Sequence, residues 1–208
     1  MSQEACECFN KQKGDDIDAK LTPCISQVVN SSHTATLKEG YSHQDSVDAM
    51  NTVNVLASKD ISNASEVMNS LVTLCDTFGS EMEVLYDRWY PVDSSASNLN
   101  YIKQLSSKFK RVSTSDTASK KILHKLIAKN IEARRLWEGL RRCKQMKSLY
   151  KEEEGAYYAS AFIYQLQHKY SLAINELNQE ISIYNKKDLN LIVEVIKRKA
   201  RKNEVSIN

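Results

Sequence analysis

Few residues in this sequence have the type and spacing to do chemistry together. Cys6 and Cys8 form a Cys-x-Cys pair that could hold a soft metal, but a structural zinc site takes about four ligands and no nearby His or second Cys pair completes one. Cys24, Cys75 and Cys143 follow without regular spacing, and scattered cysteines in a reducing compartment are expected to stay as free thiols. His33, His43, His124 and His168 stand too far apart to suggest a relay or a metal site. There is no Gly-rich phosphate loop, Gly-x-Ser-x-Gly elbow, His-Glu-x-x-His pair or EF-hand loop. The expectation is a protein that binds rather than catalyses, with no cofactor, no metal and no small-molecule substrate.

Charge carries the stronger signal. The net charge of +3 hides a central block, residues 108–151, with fourteen basic and three acidic residues. Residues 46–107 hold three basic and eight acidic ones. Within the block, Lys120, Lys121, Lys125, Lys129, Arg134, Arg135, Arg141, Arg142, Lys144 and Lys147 are the candidate contacts to anionic lipid headgroups, since each cation near a bilayer surface contributes on the order of 1 kcal/mol. The plainer alternative is a solvated helix face paired with the acidic 46–107 segment. Nucleic acid is disfavoured because aromatic residues are not interleaved through the block, where Phe109, Trp137 and Tyr150 are the ones present.

These residues must be carried on helices. Gly occurs five times and Pro twice, at Pro23 and Pro91, so little in the chain breaks a helix. Residues 1–45 are polar and weakly periodic and read as a flexible N-terminal tail. Helical spacing begins near Ser46 with Val47, Met50, Val53 and Leu56. From there Ile61, Ala64, Met68, Leu71, Cys75, Phe78, Met82, Leu85 and Trp89 alternate by threes and fours, a heptad suited to dimerisation or to packing along a neighbouring helix. Pro91 should end that helix.

A shorter helix follows through Ile102, Leu105, Phe109 and Val112. Two further apolar stripes, Ile122 to Tyr150 and Phe162 to Tyr184, and a last one around Ile192, Val193 and Ile196 make the C-terminal half helical. Whether residues 117–203 form one helix or a hairpin stays open, with 152–155 and 168–171 as candidate turns. The domain scheme is a tail over 1–45, a helical domain over 46–203 and a C-terminal tail over 204–208. The fold class is all-α, an elongated antiparallel helical bundle or coiled coil.

Residues 140–151, LRRCKQMKSLYK, and residues 180–189, EISIYNKKDL, followed by Lys197 to Lys202, resemble stretches of the BAR domain of sorting-nexin type. The resemblance covers about a third of the chain. It implies a curved antiparallel dimer of three-helix protomers whose basic face meets acidic phospholipid, with the 61–89 heptad supplying the first helix. No stretch reaches the roughly 18 apolar residues of a membrane span, and the N-terminus lacks an apolar signal region. The expected protein is therefore cytoplasmic, peripheral on endosomal membranes, and acts in vesicle traffic with a homo- or heterodimeric helical partner. The alternative is a coiled-coil subunit of a multiprotein complex, for example of kinetochore or tethering type.

Overall fold

The computed structural model describes residues 2–14, 16, 17, 19–27, 64–114, 117–151 and 153–203. Among these the structure is all helical, with no strand. The chain divides into two compact units, Met1–Glu83 and Val84–Asn208. The expected first helix at 47–56, the residue Ile61, His33, His43, the boundary at 45/46 and the tail at 204–208 lie outside the described residues.

In the first unit, α1 spans Ser2–Lys11, α2 covers 19–27 and α3 covers 64–74. The next helix, α4, spans Asp76–Asp87. Asp16 caps α2 by accepting the Ala19 N–H at 3.2 Å. Helices therefore stand within the segment that reads as a flexible tail. The reason is covalent: Cys6 joins Cys75 and Cys8 joins Cys24, with Cα atoms 5.4 and 5.6 Å apart. This corrects the expectation of free thiols, which holds only for the buried Cys143. A polar segment with too little apolar surface to order itself is closed on itself by Cys8–Cys24 and tied to α3 and α4 by Cys6–Cys75. Ala5 and Phe9 of α1 are buried one helical turn apart, and the Phe9 ring meets Phe78 edge-on at 5.2 Å. The buried Lys20 amine sits 4.8 Å over the Phe9 ring and pairs with Glu81.

The 61–89 stripe is not one uninterrupted helix. It is broken at Cys75 between α3 and α4, although the Cys75 N–H still reaches the Leu71 carbonyl at 2.9 Å. Leu71, Cys75, Phe78 and Met82 are buried and Met68 is half-buried, whereas Leu85 and Trp89 are each 54% exposed. Tyr86 takes the next buried position instead. A straight helix at 3.6 residues per turn drifts by about 20° per heptad from a strict seven-residue repeat, so the buried face moves on by one residue.

The second unit holds α5, Ala96–Arg111, α6, Thr117–Glu132, α7, Leu136–Leu149, α8, Ala156–Leu166, α9, Tyr170–Tyr184, and α10, Asn190–Lys202. A single 3₁₀ turn, Lys187–Leu189, precedes α10. Residues 117–203 are thus neither one long helix nor one hairpin. Each helix from α5 to α10 packs on the next in sequence, and α6 also packs on α8. That connectivity, helix against sequence neighbour, is the one that repeated helical hairpins build.

The α6–α7 and α8–α9 hairpins repeat with a 34-residue period. Arg134 and His168 both adopt left-handed backbone, at φ 55° and 58°. The Arg135 N–H bonds to the Asn130 carbonyl at 2.8 Å, and the Lys169 N–H to the Tyr164 carbonyl at 2.9 Å. These six-to-one bonds close helix C-termini in the Schellman manner, with an Arg and a His at the position Gly usually takes. Gly139 occupies in α7 the place Ala173 has in α9. A methyl group on Gly139 would lie 2.9 Å from Ile163 Cδ1, the far end of that side chain, so α7 and α8 approach closely there.

Candidate anion-binding surface

The start of α5 fixes one wall of this surface. Ser95 caps the helix by accepting the Asn98 N–H at 3.2 Å, and Asp93 accepts the Ser95 N–H at 3.1 Å. The Asp93 N–H donates to the Glu132 carbonyl at 2.9 Å, fastening the start of α5 to the end of α6. That hydrogen bonding to Ser95 holds the Asp93 carboxyl below the usual carboxylate range.

The ten cations singled out above fall into three groups. Lys120 pairs with Glu153 at 2.7 Å, Lys129 with Glu132 at 2.6 Å, Arg141 with Glu138 at 2.8 Å, and Lys147 with Glu176. These partners come from the C-terminal half and not from the acidic 46–107 segment. The Lys147 amine also sits 4.0 Å over the Tyr157 ring. Arg142 is buried, bonded to Gln145 at 3.0 Å and 5.7 Å from the Phe109 ring, and burial lowers its pKa. Arg134 lies in the left-handed turn with Nη1 buried and without a partner. Arg135 and Lys144 are exposed, as are Lys121 and Lys125.

Lys121 and Lys125 share a groove of about 420 Å³ between α5 and α6. From α5 it is lined by Tyr101, Gln104, Leu105 and Lys108, and from α6 by Ala118, Lys121, Ile122 and Lys125. Each helix contributes residues at i, i+3, i+4 and i+7, the spacing of one helix face. Leu105 and Ile122 are buried and floor the groove, while the three lysines stay exposed. Among the described residues no Asp or Glu lines it, and none of the three lysines has a carboxylate within ion-pair distance. Tyr101, Gln104 and Lys108 were not among the residues singled out from the sequence. Their match to 118, 121, 122 and 125 emerges only once the two helices are paired.

The described histidines and cysteines are engaged within the fold. His124 Nε2 lies 2.8 Å from Glu153 Oε1, and His168 Nδ1 lies 2.9 Å from the Tyr170 hydroxyl. Burial pushes the Cys143 thiol up to about 12. Cys6 and Cys8 are consumed by disulfides, and among the described residues no three His, Cys, Asp or Glu side chains gather as a metal would need. No helix among the described residues is long and apolar enough to cross a membrane. Comparisons with protein-family models, with curated proteins and with solved structures find no match.

Proposed function

We propose that the chain is a non-enzymatic helical scaffold that associates peripherally with anionic membrane surfaces. The observation that carries this reading is the set of exposed lysines, Lys108, Lys121 and Lys125, which have no carboxylate partner among the described residues around one groove. Where Lys120, Lys129, Arg141 and Lys147 spend their charge on neighbouring glutamates, these keep theirs for a ligand outside the fold. The reading takes from the BAR-type resemblance its basic lipid-facing surface, and carries that surface on stacked hairpins.

Flotation of the purified chain with phosphatidylserine vesicles at low and physiological salt tests it. The wild type should float, less so as salt screens the attraction, and the Lys108→Glu, Lys121→Glu, Lys125→Glu, Lys144→Glu variant should stay at the bottom. A folded wild type that fails to float even at low salt would sink the proposal.

A second reading, a subunit of a multiprotein assembly, is favoured by one repeat-equivalent pair. Leu149 on α7 and Ile183 on α9 stand 34 residues apart and are both exposed, at 41% and 52%. Successive hairpins thus present the same apolar position to solvent, as repeat scaffolds do toward a protein partner. Light scattering of the purified chain separates the two: self-association lost in a Leu149→Ser, Ile183→Ser variant supports assembly, and a stable monomer in both proteins argues against a self-assembling form.

A further inference from the structure

We propose that the α5–α6 groove is a specific site for a compact ligand bearing two or more phosphate groups. The inference deepens the membrane reading by naming the ligand class, and rests on the same lysines, but such a ligand can arrive either as a lipid headgroup or free in solution.

Size and charge point to that class. The volume of about 420 Å³ lies in the range of small-molecule sites, roughly 300–1,000 Å³. A stripe from i to i+7 runs about 10.5 Å along a helix, the length of a ring with substituents at both ends. Lys108, Lys121 and Lys125 bring three positive charges with no acid among the described lining residues, and two phosphomonoesters of roughly −1.5 to −2 each match them.

All three cations are lysines. Their ammonium groups are compact point charges with rotatable donors and can bind phosphate in that capacity, as the arginine fork, which serves carboxylate and phosphate alike, also does. Leu105 and Ile122 below and the Tyr101 ring at the side offer an apolar bed for the body of the ligand, and Gln104 offers an amide for an uncharged oxygen.

Calorimetric titration of the full chain with inositol trisphosphate and with pyrophosphate tests the site. Lys121→Gln with Lys125→Gln should weaken binding by about tenfold or more, given the strength of charged hydrogen bonds. Lys169→Gln, which removes an exposed cation outside the groove, should change it by less than about twofold. No binding of either probe by the wild type, or equal losses in the two variants, overturns the proposal.

Vesicles then identify the source. Flotation with bisphosphorylated inositol lipid should exceed that with phosphatidylserine at matched total charge if the ligand is lipid-borne. Titration positive with no flotation on either vesicle keeps the groove site, makes its ligand soluble and sinks the membrane reading. Equal flotation on both with no titration overturns the groove site and leaves the membrane reading standing.

Discussion

The Glu180 carboxylate on α9 accepts the backbone N–H of Tyr158 on α8 at 2.7 Å, and its other oxygen accepts the Gly155 N–H at 2.7 Å. A helix N-terminus leaves its first N–H groups without intrahelical partners and carries partial positive charge. Here the cap comes from another helix, so Glu180 joins α8 to α9 while satisfying α8. Glu180→Ala should lower stability by about 1–3 kcal/mol because two half-buried donors lose their acceptor. Glu180→Gln, which keeps an oxygen, should cost less. Urea unfolding midpoints at constant slope will rank the three proteins.

Arg134 and His168 hold left-handed backbone that glycine adopts without a Cβ penalty of about 1–2 kcal/mol. Arg134→Gly and His168→Gly should each be neutral to stabilising by up to about 1 kcal/mol, after the greater chain entropy of glycine is offset. A thermal melt that drops for either variant would show that the side chain contributes more than its backbone costs.

Gly139→Ala crowds only the far end of the Ile163 side chain, while alanine gains about 1 kcal/mol over glycine within a helix. The change should therefore be neutral to stabilising by up to about 1 kcal/mol, as a thermal melt will show. Ile163→Val, which removes the crowded Cδ1 atom, should cost less in the Gly139→Ala protein than in the wild type. A double-mutant cycle in which the two changes simply add would contradict a contact between α7 and α8 at this point.

Two thiols closing a loop over a sequence separation of 16, as Cys8 and Cys24 do, stabilise by about 3 kcal/mol in chain-entropy terms, and the separation of 69 between Cys6 and Cys75 gives somewhat more. Alkylation of the unreduced chain with and without denaturant should therefore modify only Cys143, and only once the protein is unfolded. Labelling of Cys6, Cys8, Cys24 or Cys75 without prior reduction would show that the pair concerned is open.

Hydrogen bonds from Lys120 and His124 hold the Glu153 carboxyl below its ordinary value of 4.5. A carboxyl with a lowered folded-state pKa contributes stability that is complete above its unfolded value and is lost as pH falls through the folded one. Stability should thus decline below about pH 4.5, and part of that decline should vanish in Glu153→Gln. Unfolding free energies measured from pH 3 to 7 in both proteins check it.

Several features were legible in the residues. The scarcity of Gly and Pro set an all-helical chain, the stop near Pro91 agrees with α4 ending at Asp87, and the two candidate turns at 152–155 and 168–171 lie where the chain turns between α7, α8 and α9. The turn at 133–135 was not legible, because it contains neither Gly nor Pro. Its conformation is imposed by packing that outweighs the local cost at Arg134. Helices of 11 to 16 residues stand where the apolar stripes read as long ones, since a stripe records which face is buried and not where the chain reverses.

Sequence by itself determined helicity, the position of the positive charge and the apolar faces, all of which follow from local periodicity and composition. Tertiary structure alone decided which cysteines pair, which lysines are neutralised by glutamates and which three gather around the α5–α6 groove. Those outcomes depend on distances between residues far apart in the chain, and such distances exist only after the helices have packed.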